Sequence, residues 1–487
     1  MKNIKHNLCL LLMIIAIGCK SQIAPDAKTE PLEKHLVHFK KSENVKGIAF
    51  ALFNKDSIIW QKCLGNSTYG YPIDDKTMFS IQSVSKNITA MAVMIVLRDE
   101  ILELDKPISE YLTDFTINSC FEENPEDKIN LRMLLTHTSG LTHEAPLGNN
   151  YDYSVCSFDE HLQSIKDTWL KYPAGSRYAY SNLGYDLAAT IIEKASGMRY
   201  VEYLQTKIFG PLKMNSTTID DNKMVASINK TEGTISATRS KHLCIPLIGS
   251  GAVYTNITDL VKYVQLHMNS GTVGKTKFID KEYLMEMYKI RHNNYGFGTY
   301  IDKTNQVFFV NHNGSGYGYS ASFVWYPEFD IAAVMLCNKQ VNTFDICINI
   351  LDEYKSRSGL SGNITVSNEF NFHNNARLAE SAEEFVPVIC TTDTIYKDSW
   401  NKYPGKYYLV FKGLEFKWHA RLAFALGFHP QKVTIELRDQ QLMIKSNYGE
   451  SRLGEYKPGM FFTTGGEVVD FTSAIPTYKN IELKKIR

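Results

Sequence analysis

No apolar run in this 487-residue chain reaches the length of a membrane-spanning helix, which needs about 20 residues. The run Leu8–Gly18, LCLLLMIIAIG, has 11 residues. Nor is there a basic block: 53 lysines and arginines face 52 acidic residues, for a formal charge of +1. A nucleic-acid surface is therefore not indicated, and a neutral or modestly charged small substrate is expected. The nine cysteines contain no C-x-x-C pair and no accompanying histidine spacing, which argues against structural zinc. No internal repeat is visible.

What is present begins at the N-terminus. Lys2, Lys5 and His6 precede the 11-residue apolar run, which ends in a small residue and then Cys19. That pattern predicts a secretory signal over 1–18. Ala16-Ile17-Gly18-Cys19 resembles a bacterial lipobox, although alanine replaces the commoner leucine; ordinary signal cleavage nearby is the alternative. The resemblance implies lipid attachment at Cys19 and a membrane-anchored, periplasm-facing protein in the cell envelope. Residues 19–34, polar and proline-bearing, then read as a tether. Setting aside Cys9 and Cys19 leaves seven cysteines, an odd number that rules out complete intramolecular pairing. Cys337, in IAAVMLCN, reads as a buried thiol. There is room for one disulfide, with Cys120–Cys156 as a candidate pair.

The length suggests two or three folded units. Residues 47–60 read as a strand, a polar turn and the start of another strand. Helical spacing covers the stretch after Ser83, 183–194 and 258–268, and short runs at 306–312, 321–327 and 331–337 form an antiparallel meander. Strands thus open and close the unit at 35–355, and one sheet forms if first and last pair, with helices on its faces and in an inserted lobe. Residues 356–395 read as a linker. From 396 to 487 the pattern is all-β: Val433, Ile435 and Leu437 alternate with polar residues before an Asp439-Gln440-Gln441 turn, as in a small barrel.

Ser83-Val84-Ser85-Lys86 places a serine and a lysine three apart at the mouth of an apolar helix. The tetrapeptide alone decides nothing: roughly two are expected in a chain this long, and Ser227…Lys230 and Ser399…Lys402 also fit. Tyr180-Ser181-Asn182 stands just before a second helix, where Asn182 is a candidate cap and Tyr180 a candidate core residue. His312-Asn313-Gly314 lies between two strand-like runs and is equally well read, alone, as a glycine-rich hairpin.

In this order and spacing the three segments resemble the serine β-lactamase, penicillin-binding and D-alanyl-D-alanine carboxypeptidase-like family, in its class C type branch. LRMLLTHTSGL at 131–141, GSGAVYTNITDL at 249–260, YGFGTY at 295–300 and MLCN at 335–338 extend the likeness over about 35–355. The resemblance implies a β-lactamase/transpeptidase-like α/β (α+β) fold, and likens the C-terminal part to the lipocalin-like modules of this family. It implies Ser83 as nucleophile, with Lys86 or the phenol of Tyr180 as base and Tyr180 as proton donor to the leaving group. Asn182 would bind the substrate amide and hold Lys86, the backbone N–H groups of Ser83 and Ser315 would form an oxyanion hole, and Gly314 would let the strand edge approach. No metal or organic cofactor is implied.

His312 departs from the lysine of many relatives, which weakens the case for an efficient β-lactamase; at neutral pH an unperturbed histidine is mostly an uncharged hydrogen-bonding group. The expected activity is acyl-enzyme hydrolysis of a D-amino-acid peptide or muropeptide. The alternatives are a carboxylic esterase using the same serine and a penicillin-binding sensor with slow turnover. His137, in THTSG, is expected to support a turn.

Overall fold

The computed structural model describes residues 29–486, apart from 150–151, 155, 236–237, 239–242, 305–306, 364–391, 413–415, 426–430 and 448. The signal segment 1–18, Cys19 and most of the expected tether and linker lie outside the described residues.

The first unit is built on a six-stranded antiparallel sheet. Its strands are β1 (Gly47–Phe53), β2 (Ile58–Gly65), β3 (Tyr300–Thr304), β4 (Val307–Gly316), β5 (Tyr319–Tyr326) and β6 (Ile331–Cys337). The order is β2-β1-β6-β5-β4-β3, so the opening strand pairs with the closing one, Ile48 opposite Cys337 through Phe53 opposite Ala332. Both faces are covered, which explains why β1 is apolar without alternation. Ile48, Phe50 and Leu52 enter one core, while Ala49, Ala51 and Phe53 enter the other.

Seven helices of eight or more residues accompany the sheet among the described residues. They are α1 (Glu30–Ser42), α2 (Ser85–Arg98), α3 (Phe158–Ile165), α4 (Asn182–Ser196), α5 (Ile257–Met268), α6 (Lys281–Tyr288) and α7 (Phe344–Ser358). Leu32 and Leu36 of α1 pack with Ile346, Ile350 and Leu351 of α7 in the smaller core; α2, α4 and α5 belong to the larger one. Every residue of α2 from Ser85 to Val96 is buried, so it is a central helix rather than a surface one.

Three expectations need correction. The tether does not extend to 34: Thr29 is buried and α1 starts at Glu30, with Pro31 in its first turn and Leu32 and Leu36 fixed in the core. Asn182 does not cap α4; Ser181 does, its Oγ accepting from the N–H of Gly184, and Asn182 is the first helical residue. Cys120 is disulfide-bonded, but Cys156 is not its partner, because Cys156 is a free thiol. At the start of the expected linker, α7 continues to Ser358 before Gly359 ends it in a left-handed turn.

The C-terminal part is a closed barrel of eight antiparallel strands: β7 (Gly405–Leu409), β8 (Lys432–Arg438), β9 (Gln441–Ser446), β10 (Gly449–Lys457), β11 (Met460–Thr463), β12 (Val468–Asp470), β13 (Thr477–Tyr478) and β14 (Ile481–Lys485). Closure leaves no unpaired sheet edge. Val433, Ile435, Leu442, Ile444 and Phe461 fill it around Trp400, whose indole N–H donates to buried Glu455 at 3.1 Å. One helix that the alternating pattern did not suggest, α8 (Trp418–Ala425), interrupts the β run. The barrel meets the first unit where the hydroxyl of Tyr172 donates to the carbonyl of Gly465 at 2.7 Å and the amide of Asn480 donates to the carbonyl of Glu144 at 2.9 Å.

Candidate active site

Ser83 lies on a single 3₁₀ turn, Gln82–Val84, that runs directly into α2. Gln82 has φ of 50°, a left-handed conformation that a side-chain-bearing residue adopts at a cost, and it turns the chain sharply so that Ser83 stays partly exposed while its neighbours are buried. Residues three apart share a face in both 3₁₀ and α geometry. Lys86 therefore reaches back, its Nζ 3.1 Å from Ser83 Oγ.

The ammonium end of Lys86 has two further partners: Asn182 Oδ1 at 2.7 Å and the carbonyl of Ser250 at 3.0 Å. Burial lowers its pKa to about 7, against the opposing pull of Asp186 and Glu144. At neutral pH a large fraction of Lys86 is then a free amine, facing a hydroxyl. Because Asn182 Oδ1 is occupied by Lys86, its NH₂ group is the end left to donate elsewhere.

Tyr180 completes this cluster. Its ring lies 4.9 Å from Lys86 Nζ, and the Ser83 side chain is close enough to act on its phenol. Burial raises the phenol pKa well above the ordinary value, with Ser83 opposing, so Tyr180 is a neutral phenol rather than a standing phenolate. Its backbone is held from both sides by one residue. His137, itself at φ 59°, accepts the Ala179 N–H on its carbonyl at 2.7 Å and the Ser181 N–H on Nδ1 at 3.1 Å, and its ring stacks on Tyr180 at 4.2 Å. The turn-supporting role expected of His137 understated it.

β4 forms the opposite wall. A Cβ added at Gly314 would stand 2.3 Å from the carbonyl of Ile81 and 2.7 Å from the amide N of Ser83, so only glycine lets the strand come this close to the nucleophile turn. β3 pairs only with Val307–Asn311 of β4, and the ladder with β5 covers Val310–Gly316. The segment 312–316, which includes Ser315, therefore runs past the end of β3 on that side, where an extended ligand could add as a strand.

His312 sits at the start of that segment, 1% exposed. Its Nδ1 faces the carbonyl of Asn313 at 2.7 Å and its Nε2 the hydroxyl of Tyr295 at 3.0 Å. The carbonyl can only accept, so Nδ1 carries the proton and Nε2 accepts from the phenol. Burial, then the nearby Lys86, pushes its pKa down to about 3. His312 is thus more firmly neutral than its unperturbed pKa suggested. Tyr178, Tyr295 and Tyr300 line the same side.

Ser227 is half-buried and Ser399 exposed, and neither has the tyrosine and His-x-G companions of Ser83. Sequence reasoning singled out neither Asp186, His161, Ser250 nor Tyr295. GSGAVYTN and YGFGTY marked two of their segments, but Ser250 acts through a backbone carbonyl, which leaves no side-chain signature. Among the described residues, no group of three or more His, Cys, Asp or Glu is arranged to hold a metal.

Comparison with known proteins bears on this arrangement. The profile of the family described as Beta-lactamase matches residues 32–350. The chain is 25% identical over 302 residues to penicillin-binding protein 4* of Bacillus subtilis, covering 56% of this chain and 63% of that protein. It is 24% identical over 290 residues to the D-alanyl-D-alanine-carboxypeptidase/endopeptidase AmpH of Escherichia coli strain K12, covering 57% and 73%. The first of these matches, like those to two Dictyostelium discoideum β-lactamase-like proteins at 59% and 43%, spans less than two thirds of the relative's length. In fold, the chain is similar to the octameric penicillin-binding protein homologue from Pyrococcus abyssi, with a TM-score of 0.60 at 20% identity over 94% of this chain and 98% of that one. The β-lactamase/D-alanine carboxypeptidase from Yersinia pestis gives 0.56 at 19% identity over 67% and 97%.

Proposed function

This chain belongs to the Beta-lactamase family, and within it we propose a serine hydrolase that works through an acyl-enzyme on a D-amino-acid peptide or muropeptide. The observation that carries the reading is the contact of a buried lysine, with a pKa of about 7, on the hydroxyl of a partly exposed serine. Lys86, as free amine, takes the proton of Ser83 as Oγ attacks the substrate carbonyl carbon, directly or through the phenol of Tyr180. The negative charge on the carbonyl oxygen falls to the backbone N–H groups of Ser83 and Ser315. When the C–N bond breaks, Tyr180 gives its proton to the leaving amine and regains one from Lys86. Water then enters by the same route and releases the acid.

The peptide class is supported by the open edge at 312–316 and by the activity in the name of the E. coli relative. A second reading, a carboxylic esterase, is favoured by one observation: neutral His312 offers no fixed charge to a substrate carboxylate. The envelope location, through lipid on Cys19, is part of the proposal and rests on the sequence alone. A panel of D-Ala-D-Ala peptides, nitrocefin and p-nitrophenyl esters separates the readings. Turnover of the peptides with release of D-alanine is expected. Turnover of esters alone would replace the peptidase by the esterase, and acylation without turnover would make the protein a binding module.

A further inference from the structure

Behind the nucleophile lies a buried charge pair that the acyl-transfer scheme leaves without a task. Asp186, one turn beyond Asn182 on α4, is fully buried, and its carboxylate accepts three hydrogen bonds and faces a histidine ring. Oδ1 takes the backbone N–H groups of Gly249 and Ser250, each at 3.0 Å. Oδ2 takes the hydroxyl of Ser250 at 3.0 Å and faces Nε2 of His161 at 3.3 Å. His161, on α3, is also fully buried, and its Nδ1 stands 2.7 Å from the carbonyl of Leu147. A carbonyl and an ionised carboxylate can only accept, so a ring placed between them carries a proton on each nitrogen.

The 249–250 turn faces the nucleophile with its other side. The carbonyl of Ser250 accepts from Lys86 Nζ at 3.0 Å, and the carbonyl of Gly249 accepts from Thr89 Oγ1 at 2.5 Å, both donors being on α2. The turn is a bridge whose N–H groups rest on Asp186 and whose carbonyls receive the base helix. We propose that His161 is a positioning residue for Lys86: as a buried imidazolium it holds and neutralises Asp186, which then fixes the 249–250 turn without lending Lys86 an uncompensated negative charge. This rests on the reading of Lys86 as general base.

The surrounding charges are consistent with that division of labour. Asp186 and Glu144 act on Lys86 in the direction of its ammonium form, while burial acts against it; neutral His137 and His312 and the rings of Tyr180 and Tyr185 make up the rest of its setting. Around His161, burial opposes the charge, whereas Asp186, the Leu147 carbonyl and Glu144 favour it and prevail, raising its pKa. The Cys156 thiol, on the neighbouring loop, is held neutral by burial at a pKa of about 11, and the phenol of Tyr200, near Asp186, is neutral as well. Removing the imidazolium charge leaves Asp186 to stabilise the protonated base.

Two measurements on the full chain test this. With ¹⁵N-labelled histidine, assigned by the signal lost in His161→Gln, both ring nitrogens of His161 are expected at the protonated position near pH 7. A neutral tautomer there overturns the proposal, and this readout needs no activity. In His161→Gln an amide replaces the donor to Asp186 but not the charge. The acid limb of Ser83 acylation is then expected to move up by about one pH unit, lowering the rate near neutral pH several-fold and leaving the alkaline plateau within about threefold. An unchanged limb overturns the positioning role even if the ring is doubly protonated. If the variant does not fold, selective assignment by chemical-shift pH titration of the wild type still decides the protonation state on which the proposal stands. Failure of the base reading itself shows separately, as acylation whose rate and acid limb are unchanged in Lys86→Arg.

Discussion

The base assignment makes acylation pH-dependent in a calculable way. If Lys86 must be the free amine, the acylation rate follows its deprotonated fraction, and its pKa of about 7 sets the acid limb. About 90% of the lysine is free near pH 8 but only about 3% near pH 5.5, so the rate should fall about 30-fold between them and level off on the alkaline side. His312 adds no second limb in that range, because it stays neutral down to about pH 3. The assay is the pseudo-first-order rate of labelling by a fluorophosphonate, corrected for probe hydrolysis at each pH. Lys86→Arg keeps a cation of similar reach that does not release its proton at these pH values, and should cut the plateau rate by about 10²–10⁴. A wild-type rate that is flat across the range, or a limb near the ordinary lysine value of 10.5, would refute the argument from burial.

The remaining predictions concern the walls of the site. Tyr180→Phe should leave the circular dichroism and melting temperature nearly unchanged while slowing acylation about 10²–10⁴-fold, because only the proton relay to Ser83 is removed. Gly314→Ala should do comparable damage by another route: the new methyl meets the backbone of Ile81 and Ser83, so the strand must move off the nucleophile turn, which would appear as a large loss in labelling rate at every pH. His312→Lys places a long cation where a neutral ring is locked between Tyr295 and the Asn313 carbonyl; the ratio of kcat/KM for carboxylate-bearing over neutral substrates should rise, and an unchanged ratio would show that this position does not read substrate charge.

Much of the fold was legible because it depends on periodicity. The alternation of Val433, Ile435 and Leu437 announced a barrel, and the apolar runs at both ends of the first unit announced strands that pair as β1 and β6. The helix α1 was missed although its signal is present: Leu32, Leu36 and Phe39 fall on one helical face, but the proline and the charges around them read as a tether. In the site, side chains separated by a short fixed offset were readable, as with Ser83 and Lys86. Contacts made through backbone groups were not. Nothing in the residue pattern marks the N–H groups of Gly249 and Ser250 as ligands of Asp186, or the carbonyl of Ser250 as a partner of Lys86. The Cys120–Cys156 pairing failed for a related reason, since residue spacing carries no distance between two loops.

The central claim, that Ser83 forms the acyl-enzyme, is tested most directly by intact-mass spectrometry after reaction with a fluorophosphonate or fluorescent penicillin. The account predicts one adduct per chain, mapped by peptide digestion to Ser83 and absent in Ser83→Ala. An adduct of the same mass that persists in Ser83→Ala, or that maps to Ser227 or Ser399, would contradict it.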